Sequence, residues 1–295
     1  MSLSLKGTGV AIVTPFNSNK EIDFTGLERL IHHITENGVE YIVVLGTTGE
    51  SVTLSADEKR AVLDKVLETN NGELPIILGI GGNNTMDVAT QMKTTNLEGV
   101  SAILSVSPYY NKPTQEGIYR HYEVLNEASP LPIILYNVPA RTGSNVLPET
   151  VLRIAHAFNN IVAVKEASGD IDQSMRIIRD KPDHFFVLSG DDGITLPLMS
   201  CGADGVISVV ANAFPKEFSD MVREAAANDF DAARKNHYQL HELIKYLFVE
   251  GNPGGVKAAL KILNITGDDM RLPLVNVGNE TYKKLESLIQ DIKKA

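Results

Sequence analysis

The stretch PIILYNVPARTGSNVLPETVLRIAHAFNNIVAVKEASGD, residues 132–170, contains two short apolar runs, Ile133–Tyr136 and Ile161–Lys165, separated by a longer amphipathic segment. A parallel strand that must return to the same end of a sheet through a helix produces this pattern. Both runs are nearly continuous in Ile, Leu, Val and Ala instead of alternating with polar residues, as expected of strands buried on both faces. Polar and reactive side chains collect where each run ends.

The same unit repeats along the whole chain. Further runs of this kind lie at Gly9–Val13, Tyr41–Leu45, Ile76–Gly79, Ala102–Val106, Phe186–Ser189 and Gly205–Val209, which brings the number of predicted strands to eight. Phe24–Asn37, Ala56–Thr69, Thr85–Leu97 and Gln115–Ala128 read as helices, each preceded by a polar or turn residue, and similar stretches fill the second half. Eight βα units match a (β/α)8 TIM barrel; an open doubly wound sheet, the alternative, normally uses fewer strands. After the eighth run the chain continues through Lys216–Asn228, Asp231–Val249, Gly255–Leu263 and Glu280–Lys294. The expected organisation is therefore a barrel over residues 1–225 and a helical extension over 226–295 packed beside it.

Composition narrows the function classes. A chain of 295 residues with 43% apolar and 22% charged content is typical of a globular protein, and no linker or low-complexity tract divides it. The net charge of −10 opposes any general attraction to nucleic acid or anionic membranes. The opening MSLSLKGTGVAIVTPF is too short in its apolar part for a signal peptide or a membrane span, so a cytoplasmic protein is expected. Cys201 is the single cysteine, which excludes an internal disulfide and reads as a small buried hydrophobe. The seven histidines lack ligand spacing, and His32 and His33 sit side by side in a predicted helix, where neighbours diverge. No metal site is expected. Gly79, Gly81 and Gly82 lack the rest of a dinucleotide fingerprint, and neither a Walker A sequence nor a nucleophile elbow is present.

In a TIM barrel the chemistry belongs at the C-terminal ends of the strands. There, Thr47-Thr48-Gly49-Glu50-Ser51 offers hydroxyls and free backbone amides suited to a small carboxylate, although the same residues also read as an ordinary βα turn. Tyr136 ends a strand and reads either as a proton-handling group or as a core aromatic. Arg141 beyond it suits two-pronged recognition of a carboxylate, or a surface charge. Lys165 ends an apolar strand. A desolvated lysine loses its proton more readily and can attack a ketone to form an imine; the competing reading pairs it with Glu166. Tyr109 and Tyr110 stand together in Ser107–Pro113, as packing or as functional residues.

GTTGES at Gly46–Ser51, SPYYNKP at Ser107–Pro113, YNVPARTG at Tyr136–Gly143 and VKEASGD at Val164–Asp170, in this order and spacing, resemble the pyruvate-dependent class I aldolase and lyase family, to which N-acetylneuraminate lyase also belongs. The likeness runs from the first strand to the C-terminal helices. It is closest to members that condense pyruvate with L-aspartate 4-semialdehyde on the route to diaminopimelate and lysine. The resemblance implies a Schiff-base role for Lys165 and proton transfer by Tyr136 with Thr47 and Tyr110. It implies that Thr48 binds the pyruvate carboxylate through its backbone amide, that Arg141 binds the carboxylate of the second substrate, and that Gly190 and Ile207 contribute backbone near the site. It implies no metal or nucleotide cofactor, and a homotetramer built as a dimer of dimers in which Tyr110 reaches the neighbouring subunit's site. An allosteric lysine site would involve Ser51, Asn83, Asp87 and Tyr109. Ala56 and Lys59 stand where lysine-inhibited members carry histidines, and the acidic position is shortened to Asp87, so weak or absent inhibition is expected. Sibling aldolases acting on N-acetylneuraminate or keto-deoxy sugar acids share Lys165 and Tyr136. Arg141 and the two tyrosines favour a small acidic amino-aldehyde over a polyol. A non-catalytic keto-acid-binding barrel is the remaining alternative.

Overall fold

A computed structural model describes residues 4–294; the first three residues of the N-terminal stretch read above lie outside it. Eight parallel strands, β1 (Gly7–Ala11), β2 (Tyr41–Val44), β3 (Ile76–Gly79), β4 (Ala102–Val106), β5 (Ile133–Asn137), β6 (Ile161–Glu166), β7 (Phe186–Ser189) and β8 (Gly205–Ser208), close into a barrel in chain order. The helices are α1 (Phe24–Glu36), α2 (Ala56–Asn70), α3 (Thr85–Thr94), α4 (Gln115–Ala128), α5 (Pro139–Thr142), α6 (Pro148–Ala157), α7 (Ile171–Asp180), α8 (Thr195–Ser200), α9 (Pro215–Ala226), α10 (Phe230–Phe248), α11 (Gly254–Ile262) and α12 (Asn279–Ile292). The predicted TIM barrel is the observed fold.

Local sequence explains where the elements begin. Ser55 accepts from the N–H of Glu58 while the Glu58 carboxylate accepts from the N–H of Ser55, a reciprocal cap that starts α2. Asp170 accepts from the N–H of Gln173 at 3.0 Å and starts α7. Prolines open α6 and α9, where a missing N–H costs no helical hydrogen bond. Several predicted boundaries moved, and for two of them the cause is visible. β1 ends at Ala11 because the N–H of Val13 is taken by the Asn212 side chain at 3.1 Å instead of by a strand. α3 stops at Thr94: Thr95 is extended, and the Asn96 side chain accepts from the N–H of Glu98 to form a turn.

Contacts within the chain divide into two units, one built on Pro75–Ile207 and the other on Gly7–Leu74 with the chain from Ser208 onward. In the first, β4, β5, β6 and β7 pair in register, with Tyr136 opposite Lys165 and Asn137 opposite Glu166. Every residue of β5 is buried, so this strand is covered on both faces. In the second, α9 packs on β1, and α10, α11 and α12 pack on one another. Cys201 is a free thiol, half-buried instead of fully buried as expected from its residue type, because it caps α8 at the turn into Gly202. His33 approaches the carbonyl of Ala213 at 3.3 Å while His32 is exposed, so the two rings diverge on α1.

Candidate active site

Strand pairing sets the first part of the site. Tyr136 and Lys165 are direct neighbours on β5 and β6 and therefore share a face. Only 5% of Lys165 is exposed, and its ammonium lies 4.4 Å from the centroid of the Tyr136 ring. Burial pushes the Lys165 pKa down to about 8; the Asp192 carboxylate opposes this and the Arg141 guanidinium adds to it. A useful fraction of Lys165 is thus the free amine near neutral pH.

The opposite face of the same strands decides between the two readings of Lys165. The Glu166 carboxylate accepts from Asn137 Nδ2 at 3.0 and 3.2 Å, from the N–H of Ser168 at 2.7 Å and from Gln173 Nε2 at 2.9 Å. Asn145 completes the cluster by accepting from Asn137 at 2.8 Å and donating to Gln173 at 2.8 Å. A buried carboxylate so fully supplied with N–H donors needs no ammonium partner. Among the described residues Lys165 forms no salt bridge, so the pairing with Glu166 is excluded.

Gly190 follows β7 and donates its N–H to the carbonyl of Glu166 at 2.7 Å. A Cβ at this position would lie 3.1 Å from Lys165 Cε and 2.7 Å from Ala167 Cβ. Glycine is required here because the backbone closes directly on the lysine stem. Ile207 is buried on β8. Arg141 lies exposed on α5, and no carboxylate among the described residues pairs with it. Tyr110 is 88% exposed, has φ of 72°, and donates its N–H to the carbonyl of Thr142 at 3.4 Å, which ties its loop to the one carrying Arg141. Tyr109 accepts at its carbonyl from Asn83 Nδ2 at 3.3 Å, so these two predicted allosteric residues do meet. Asp87 is exposed and is bound by Asn84 at 2.7 Å.

In the other unit, Thr47–Gly49 form a 3-10 turn after β2, preceded by Leu45 at φ 58° and followed by Glu50 at φ 51°. Left-handed conformations in non-glycine residues are strained, and this turn carries two within six residues. Thr47 is exposed; Thr48 is buried, and its hydroxyl oxygen accepts from Asn252 Nδ2 at 2.9 Å. The Glu50 carboxylate is fully buried, pairs with Lys257 and accepts from the N–H of Arg271 at 3.2 Å. Ser51 begins the next 3-10 turn. Burial also pushes Lys257 down to about 8, with Glu50 opposing, but its ammonium is occupied by that carboxylate and by the carbonyl of Asp269 at 2.9 Å. Among the described residues two lysines are buried, and of these Lys257 forms a salt bridge and Lys165 does not.

Sequence reading missed Asp192, Asn252 and Lys257. Asp192 was visible in SGDDG beyond Gly190, and Lys257 as a lone charge within the small and apolar run GGVKAAL.

Eight parallel strands with a desolvated lysine, in no salt bridge among the described residues, at the C-terminal end of the sixth are the architecture of a barrel enzyme. The chain belongs to the dihydrodipicolinate synthetase family, whose profile it matches over residues 4–292. It is 52% identical to the 4-hydroxy-tetrahydrodipicolinate synthase of Flavobacterium psychrophilum, with 98% of each chain covered. It superposes with a TM-score of 0.95 on the crystal structure of the dihydrodipicolinate synthase of Thermotoga maritima, at 43% identity, covering 98% of this chain and 99% of that one. The same score holds for the chloride-inhibited synthase of Acinetobacter baumannii complexed with pyruvate, at 39% identity, covering 98% of this chain and 99% of that one.

Proposed function

We propose that this enzyme condenses pyruvate with L-aspartate 4-semialdehyde to give 4-hydroxy-tetrahydrodipicolinate, a step toward diaminopimelate and lysine. The observation that carries the reading is Lys165: desolvated, in no salt bridge among the described residues, and packed on the ring of Tyr136. Its free amine attacks the ketone of pyruvate, water leaves, and the resulting imine makes the methyl group acidic. Loss of a methyl proton gives an enamine that attacks the aldehyde. The amino group of the second substrate then adds to the imine carbon, closes the ring and releases Lys165. No metal or nucleotide cofactor enters this route, because the imine itself serves as the electron sink.

Tyr136 moves the protons, with Thr47 and Tyr110 as the other members of a relay. A tyrosine hydroxyl is a poor acid at neutral pH, so the relay passes protons along without full ionisation. Thr48 binds the pyruvate carboxylate, Arg141 that of the semialdehyde, and Gly190 and Ile207 contribute backbone. The guanidinium of Arg141, exposed and in no salt bridge among the described residues, supports its assignment. The exposure of Tyr110 supports a role in a neighbouring subunit's site, within a homotetramer assembled as a dimer of dimers. None of the described helices is long and apolar enough to cross a membrane, and we place the enzyme in the cytoplasm.

The test is a coupled assay in which a dihydrodipicolinate reductase reports product formed from pyruvate and aspartate 4-semialdehyde. Turnover by the wild type that is lost in Lys165→Ala supports the assignment. Borohydride trapping of pyruvate without turnover would transfer it to a sibling aldolase.

A further inference from the structure

The turn Thr47–Gly49 is held from one side by the segment that leads into α11. Asn252 is 8% exposed, and its amide nitrogen donates to the hydroxyl oxygen of Thr48 at 2.9 Å. Five residues further on, Lys257 pairs with the buried carboxylate of Glu50, the residue whose N–H closes this turn on the carbonyl of Thr47 at 3.1 Å. Thr48 and Glu50 are thus each fixed by a different residue of one short segment.

The direction of the Asn252 contact matters. A hydroxyl has one proton and two lone pairs. With a lone pair of Thr48 engaged by an N–H, its proton must be given elsewhere, and no acceptor for it is found among the described residues. Asn252 Oδ1 is buried with no hydrogen-bond partner among the described residues. A buried acceptor left unmatched costs folding free energy, which argues that an asparagine at this position serves more than stability.

We infer that Asn252 is a positioning residue for the keto-acid carboxylate: it holds the Thr48 hydroxyl as an acceptor toward itself, so that the Thr48 proton is presented to a carboxylate oxygen beside the backbone amide of the same residue. The inference rests on the proposed role of Thr48 in binding pyruvate. Asn252 acts through Thr48 and touches no reacting atom. Its loss weakens keto-acid binding and leaves the chemistry of the bound imine nearly unchanged.

The experiment measures KM for pyruvate, kcat at saturating aspartate 4-semialdehyde, and borohydride trapping at Lys165. The proteins are the wild type, Asn252→Ala, Asn252→Asp, Thr48→Val and the Thr48→Val/Asn252→Ala double variant. Asn252→Ala is expected to raise KM for pyruvate at least tenfold while kcat falls less than threefold. Asn252→Asp keeps the shape but replaces the donor with an acceptor and adds a negative charge, so its KM rises further. In the Thr48→Val background, Asn252→Ala is expected to change KM less than twofold, because the contact is already gone; a merely structural role would give independent losses. Asn252→Asp with KM within twofold of the wild type, a Thr48→Val enzyme with unchanged KM, or independent losses in the double variant would overturn the inference. A wild-type protein that pyruvate and borohydride fail to label would instead overturn the Schiff-base reading beneath it.

Discussion

Tyr136 and Lys165 occupy paired positions on adjacent strands, with the ammonium 4.4 Å from the centre of the ring. Strand pairing fixes their backbones, so the amine and the phenol meet without dependence on a mobile loop. Lys165→Ala is expected to abolish borohydride labelling by pyruvate and to lower kcat by about 10³-fold or more. Tyr136→Phe keeps the ring but removes the hydroxyl, so labelling should be slowed and turnover lowered by roughly 10²-fold. Mass spectrometry of the reduced adduct and steady-state kinetics check both; a Tyr136→Phe enzyme with unchanged turnover would remove Tyr136 from proton transfer.

Imine formation needs the neutral amine, and burial brings Lys165 down to about 8. kcat/KM for pyruvate should therefore rise with pH and level off above that value. Asp192 favours the charged lysine, so Asp192→Asn should move the midpoint to lower pH; Arg141 disfavours it, so Arg141→Ala should move the midpoint up. Opposite shifts in the two pH profiles are the expected result. Shifts in the same direction would contradict the electrostatic account.

The Glu166 cluster on the other face predicts a coupled loss of stability and rate. Glu166→Gln supplies one acceptor where the carboxylate offers two oxygens, and turns its own N–H groups toward the donors of Asn137, Ser168 and Gln173. A cost of about 1–3 kcal/mol is expected from the unmatched donors, read as a lower urea midpoint. Because Glu166 directly follows Lys165, kcat should fall with it while KM for pyruvate changes less.

Most strands were legible because burial on both faces leaves an apolar run with sharp edges, as in IVAVK and PIILYN. Lys165 stood out because it interrupts such a run. The end of β1 was not legible, since it depends on Asn212, 199 positions away from Val13. Asn252 and Lys257 were missed for the same reason: they act on Thr48 and Glu50 across 204 and 207 positions, and neither pair shares a local pattern. The left-handed turn residues Leu45 and Glu50 gave no signal, because the usual mark of that conformation is glycine or asparagine.

Lysine inhibition should be weak or absent. The resemblance implies histidines in lysine-inhibited members where this chain has Ala56 and Lys59, and an ammonium at position 59 would oppose a cationic ligand. Asp87 is moreover engaged by Asn84 at 2.7 Å. Initial rates with lysine up to about 1 mM, the upper end of ordinary KM values, should stay within about 20% of the uninhibited rate. Half-inhibition below that concentration would show that another set of contacts binds lysine.

The pair of Lys257 and Glu50 has no exposed side-chain surface, which makes its disruption asymmetric. Lys257→Met leaves the Glu50 carboxylate buried without its countercharge, and removing one partner of such a pair typically costs about 3–5 kcal/mol. Removing both charges is much less harmful, so Glu50→Gln/Lys257→Met should recover part of the lost stability. Because the side-chain pair of Glu50 with Lys257 anchors the end of the turn bearing Thr47 and Thr48, the double variant should remain impaired in KM for pyruvate even where its denaturation midpoint recovers. Urea denaturation and pyruvate kinetics on the single and double variants separate the two effects. A double variant as unstable as Lys257→Met would mean that the lysine contributes through packing against Phe16, whose ring centroid lies 4.3 Å from its ammonium, more than through charge.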